Sequence, residues 1–101
     1  MMNKTCEFCY KFHKIKDQLV LGICDKELVG KKIRDDPEFV VNEKFYFGEE
    51  GNEGYLDNLF EKCSVGNLVG KNIVELSIKK KLITKENVIM IGDIPHAQFI
   101  K

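Results

Sequence analysis

Two short stretches of this chain combine residue types that bind or react. Ile94-Pro95-His96-Ala97-Gln98 gathers a histidine, an amide and a proline. A histidine there can act as a general base or change charge near neutral pH, with Gln98 or Asn67 as a polarising donor. Gly66-Asn67-Leu68-Val69-Gly70-Lys71-Asn72 invites comparison with a phosphate-binding loop. That motif needs four residues between its glycines and a Ser or Thr after the lysine. Here three residues intervene, Asn72 follows Lys71, and no strand is expected to lead in. Nucleotide hydrolysis by this route is therefore excluded. What survives is a helix start whose free amides could meet an anion, with Asn67 as the expected cap.

Cys6-Glu7-Phe8-Cys9 is a single Cys-x-x-Cys pair. Tetrahedral zinc needs four ligands, so a structural site would have to draw on Cys24, His13, Cys63 or His96. A redox pair normally opens a helix, whose positive end lowers the thiol pKa, and this one precedes a strand. Cys24 and Cys63 read as small buried hydrophobes. The expectation is no cofactor, with zinc on Cys6, Cys9 and Cys24 as the alternative. No Ser or Cys nucleophile is visibly paired with His96.

These residues need elements to position them. Phe8, Tyr10 and Phe12 alternate with Cys9, Lys11 and His13, the period of a half-buried strand. Gln18 to Cys24 is apolar on both faces and reads as a central strand. A turn near Lys16 would put Cys9 opposite Cys24. Asp25 can cap a short turn over Lys26–Val29 that Gly30 ends. Phe39–Val41 and Phe45–Phe47 read as strand-like, and Gly48 to Gly54 as a surface loop. Glu53 to Cys63 has helical spacing with Asn52 as its cap. Ser64 to Asn67 breaks that helix, and a second follows to Lys79-Lys80-Lys81, whose charges suit a helix C-terminus. Val88 to Ile91 reads as a buried strand, and His96 to Ile100 as an extended edge. Leu28-Val29-Gly30-Lys31-Lys32-Ile33 echoes Leu68-Val69-Gly70-Lys71-Asn72-Ile73, a lone pair of copies with unmatched flanks, which is chance and not a repeat array.

The order of elements predicts an α+β domain: a small two-layer α/β sandwich, mainly antiparallel sheet with two helices on one face. At 101 residues one domain spans the chain, with residues 1–8 as an N-terminal extension. Lys plus Arg and Asp plus Glu are both 16, a formal charge of zero, which argues against a dedicated duplex DNA binder. The basic runs Lys31-Lys32-Ile33-Arg34 and Lys79-Lys80-Lys81 read as solvated faces. No apolar leader and no long apolar run occur, so no membrane association and a cytoplasmic location are expected. Oligomeric state is not readable.

Asn67-Leu68-Val69-Gly70, then Val74-Glu75-Leu76, then Ile94-Pro95-His96-Ala97-Gln98 resemble the archaeal family called domain of unknown function 424. So do Leu19 to Lys31 and Phe45-Tyr46-Phe47-Gly48 before the glutamate-rich loop. The resemblance runs from about Tyr10 to Phe99 and leaves the Cys-x-x-Cys outside the common pattern. It implies a two-layer α/β sandwich, an archaeal cytosolic source and a loose link to the translation apparatus. The motif positions it carries over are Asn67, Gly70, Pro95, His96 and Gln98, with no catalytic roles. Together with Lys71, these are the candidate binding residues of a non-enzymatic module for RNA or a ribonucleoprotein. A small enzyme with His96 as general base and a structural zinc protein are the alternatives.

Overall fold

The structure, a computed structural model, describes residues 7–101. It begins with a hairpin of β1 (Phe8–Ile15) and β2 (Gln18–Asp25), joined at Lys16 and Asp17. Lys16 takes the left-handed conformation, φ 56°, that a two-residue hairpin turn demands. Cys9 falls opposite Cys24, as the turn position predicts. Of the expected extension over residues 1–8, residues 1–6 lie outside the described residues, and Phe8 opens β1.

A 3-10 turn at Lys26–Leu28 leads to a separate small hairpin, β3 (Lys32–Asp35) and β4 (Glu38–Val40). Two expectations for the next stretch are corrected. Phe45–Phe47 is not a strand: Glu43–Tyr46 forms a one-turn helix, α1, because the Asn42 side chain accepts the Lys44 amide at 2.8 Å and starts a helical turn. The glutamate-rich loop contains β5 (Glu49–Gly51), which pairs with Phe8–Tyr10. After it, a 3-10 turn at Glu53–Tyr55 runs into α2 (Leu56–Lys62), with the Asn52 side chain capping the Gly54 amide as expected.

The next correction matters most for the site. Ser64–Asn67 does not merely break a helix. Val65–Val69 is strand β6, parallel to β2, and α3 (Lys71–Lys79) starts only after Gly70. Val65, Leu68 and Val69 are apolar on both faces, and such a run is stable only between two strands. A strand therefore does precede Gly70-Lys71, although the phosphate-loop spacing still fails. The chain closes with β7 (Ile89–Ile91) and β8 (Ile94–Ile100). Only Ile91 of β7 is buried; Ile89 and Met90 are more than half exposed, so this is an edge strand and not the expected buried one. β8 lies between β6 and β7, which covers only Ile94–His96.

Among the described residues the main sheet has the order β5-β1-β2-β6-β8-β7, antiparallel except where β2 meets β6. Both longer helices, α2 and α3, pack on one face. There Leu21, Ile23, Leu68, Ala97 and Phe99 of the sheet bury Leu56, Leu59, Phe60, Ile73 and Val74 of the helices. Each leucine, isoleucine, valine or phenylalanine among them contributes about 1.5–3 kcal/mol. The protein is thus a small α+β sandwich with two helices on one face. A second cluster lies on the other face, where Cys9, Cys24 and Val69 meet Leu28, Val41 and Tyr46 from the segment between β2 and β5. No helix of the described residues is long and apolar enough to cross a membrane.

Candidate functional site: an amide pair on the open half of the sheet

Side chains alternate across a strand, so the apolar face of β6 and β8 fixes where the polar residues point. Leu68, Ala97 and Phe99 face the helices. Asn67, His96 and Gln98 therefore face the other way. Asn67 lies directly opposite Gln98, and Val69 opposite His96. The bonds from Gly70 N–H to Pro95 O (2.9 Å) and from Lys101 N–H to Ser64 O (2.8 Å) set the alternation of this ladder. They leave Asn67–Gln98 and Val69–His96 as non-hydrogen-bonded pairs, where facing side chains stand closest. Neither the Asn67 nor the Gln98 side chain has a hydrogen-bond partner among the described residues. Asn67 is half-buried and Gln98 exposed.

Two aromatic pairs flank this amide pair. On one side the row continues through Gly22 to Lys11. A Cβ at Gly22 would lie 2.6 Å from the ring of Phe45, so the ring rests on the bare backbone there. His13 stacks on Phe45, centroids 4.4 Å apart and planes within 10°, and its Nε2 donates to the Phe45 carbonyl at 2.8 Å. On the other side Phe39 meets His96 edge to face at 6.5 Å. Nδ1 of His96 is buried with no hydrogen-bond partner among the described residues. Burial holds its pKa below the ordinary 6.5, so the ring is neutral at pH 7.

The remaining expected residues do other work. Gly70 takes φ +127°, and a Cβ there would collide with the Asp25 carboxyl group. Lys71 opens α3 and points to solvent. Pro95 alternates to the helix side of β8 and accepts the Gly70 amide. The structure thus brings Asn67, His96 and Gln98 together and gives Gly70 and Pro95 the role of turning the chain from strand to helix. Asn67 is not the helix cap. That task falls to Asp25, buried at the end of β2: Oδ2 accepts the Asn72 amide and Oδ1 the Ile73 amide, each at 2.9 Å. The helix start expected to meet an anion is thus already taken by the chain's own carboxyl group. Asp25 makes no side-chain bond to the 3-10 turn it was expected to cap. Burial raises its pKa, against the pull of the two amides.

Of the zinc set, Cys6 lies outside the described residues. Cys9 and Cys24 face each other on β1 and β2, both buried. Burial above all, then the neighbouring Cys9, Asp25 and Glu27, pushes the Cys24 thiol up to about 12. Among the described residues no three of His, Cys, Asp and Glu are grouped to hold a metal. Sequence reading missed Asp25's true partner and the flanking Phe39 and Phe45. The one available signal was Gly22, a glycine inside an apolar strand, which marks a close approach.

Comparison with known proteins bears on the fold. No curated protein matches the chain. A crystal structure of an uncharacterized conserved protein from Methanopyrus kandleri is similar in fold, with a TM-score of 0.75 and 19% identity over 91% of this chain and 89% of that one. The family model described as a protein of unknown function, DUF424, matches residues 13–101, and with nearly the whole chain inside that match, the protein belongs to this family.

Proposed function

We propose that the protein is a non-enzymatic binding module whose open sheet face takes unpaired RNA, within a ribonucleoprotein of the translation apparatus. The observation that carries this reading is the Asn67–Gln98 pair. Two adjacent amides without partners among the described residues offer donors and acceptors that match the edge of an unstacked base. The flanking His13–Phe45 and Phe39–His96 rings offer flat surfaces, and single-stranded RNA is bound by such combinations on sheet faces. Lys11 ends the same row and supplies a cation for phosphate. Zero net charge suits a local patch better than a duplex-binding surface.

Fluorescence anisotropy with unpaired RNA oligonucleotides, and co-sedimentation with ribosomal subunits, test the reading. Binding is expected to weaken as salt rises. The double variant Asn67→Ala, Gln98→Ala is expected to lose about tenfold or more in affinity. Equal isotherms for variant and wild type would remove the amide pair as the contact surface.

One observation favours a second reading. A neutral His96 beside Gln98 on the same face has the protonation state of a general base. Turnover of generic ester or phosphoester substrates that disappears in His96→Gln would put this reading first.

A further inference from the structure

Among the described residues, the outer edge of β1 beyond Tyr10 pairs with no strand. The two-residue turn at Lys16–Asp17 and the bond from Lys26 N–H to Glu7 O (3.0 Å) fix the ladder between β1 and β2. In that ladder Cys9, Lys11 and His13 bond inward to β2, so Tyr10, Phe12 and Lys14 turn their N–H and C=O groups outward. β5 pairs only with Phe8–Tyr10, and the Gly48 amide takes the Tyr10 carbonyl at 3.0 Å. Beyond that point no strand of the described residues covers the edge. A cleft of about 410 Å³ adjoins it, lined among others by Tyr10, Phe12, Leu59 and Lys62.

We propose that this edge, at Phe12 and Lys14, docks an extended acidic peptide segment of a protein partner as an added strand. Main-chain bonds to Phe12 and Lys14 would supply affinity, and alternate side chains would enter the cleft. Charge complementarity sets the occupant. Lys11, Lys14 and Lys62 surround the edge, and none of them forms an ion pair among the described residues. Glu49, the carboxylate lining the cleft, is engaged by the Tyr10 hydroxyl at 3.0 Å. An apolar residue would seat on Tyr10, Phe12 and Leu59, with acidic residues on either side of it. The opposite edge of the sheet presents Ile89, Met90 and Ile100 instead, so an acidic strand has reason to choose β1.

The test is an amide NMR titration of the full chain with a blocked synthetic peptide of alternating valine and glutamate, against the same peptide with lysine for glutamate. The acidic peptide is expected to shift the Phe12 and Lys14 amides and the Leu59 methyl groups. Lys62→Glu, on an exposed helix surface, is expected to weaken it at least about tenfold and to favour the lysine peptide. Lys14→Pro removes one outward donor at an edge position that tolerates proline, and should abolish the shifts. The proposal is overturned if the two peptides act alike, if the acidic one leaves Phe12 and Lys14 unmoved, or if an unpaired RNA oligonucleotide shifts the Lys14 amide and the Leu59 methyl groups.

Discussion

The two faces of the central sheet are built to different rules. The helix face is closed and apolar from Phe8 to Phe99, with α2 and α3 lying across it. On the other face Cys9, Cys24 and Val69 are buried beneath Leu28, Val41 and Tyr46, and Val20 and Val65 are buried too. The remaining half of that face carries Asn67 and Gln98. A side-chain amide without a partner is costly in a closed core and nearly free where water reaches it. Side-chain amides without a partner among the described residues therefore sit on the uncovered half, where Asn67 and Gln98 lie.

The largest expected effects fall where the two faces meet, at the start of α3. Asp25→Ala strands two helix amides and should cost about 3 kcal/mol. Gly70→Ala puts a Cβ against that carboxyl group at a left-handed φ and should cost about 2–4 kcal/mol. Urea midpoints measure both. Asp25→Asn, which keeps an acceptor, should cost less than Asp25→Ala. The raised pKa gives this term a definite sign. Protonated Asp25 is favoured by the fold, so its contribution is full below the ordinary 3.8 and declines as pH rises through the folded value. The stability gap between wild type and Asp25→Asn should shrink over that window. A gap that widens instead would mean that the helix amides outweigh burial.

The closed face was largely legible in the sequence because its signal is periodic. Phe8, Tyr10 and Phe12 alternate, and Leu56, Leu59, Phe60 and Cys63 recur at helical spacing, and both elements form where expected. The failures share a cause: runs too short for a period. Val65–Val69 spans five residues, which fits a strand or the first turn of a helix equally well. Only pairing with β2 and β8 decides it. Val88–Ile91 looks buried by composition, yet Ile89 and Met90 sit on an edge. The candidate site was legible as residue types, Asn67, His96 and Gln98, but not as a place. Their meeting depends on the 67-to-98 register, which no local pattern encodes. Asp25 was misassigned because its partner lies 47 residues away, beyond any local capping rule.

A glycine on each face sharpens the comparison at the next scale. A Cβ at Gly66 would collide with the buried Phe99 ring, while one at Gly22 would press on Phe45 at the open margin. Phe99 is buried and Phe45 half-buried, but a Cβ at Gly22 would also lie 2.7 Å from the Phe45 carbonyl oxygen, which cannot swing aside as a ring can. Both substitutions should therefore cost about 2–3 kcal/mol. Gly22→Ala should also disturb the His13–Phe45 stack, read as shifted His13 ring resonances. A cost at Gly22 well below that at Gly66 would mean that the segment carrying Phe45 gives way where the core does not.

The smallest expected effect belongs to His96, at the border of the covered half. Val69 and Ile89 lie opposite it on the neighbouring strands and Phe39 meets its ring, surroundings that disfavour the charged form. Burial is the cause of its lowered pKa. The unfolded chain then holds this proton more tightly than the native state does. The stabilisation is present above the ordinary 6.5 and is lost as pH falls from there through the folded value. Urea midpoints for wild type should drop between about pH 7.5 and about pH 5.5, and His96→Gln should flatten that drop while leaving the higher-pH midpoint close to wild type. If the variant falls as steeply as wild type, the covered half admits water to His96 as freely as the open half does to Gln98, and the border between the two halves lies elsewhere.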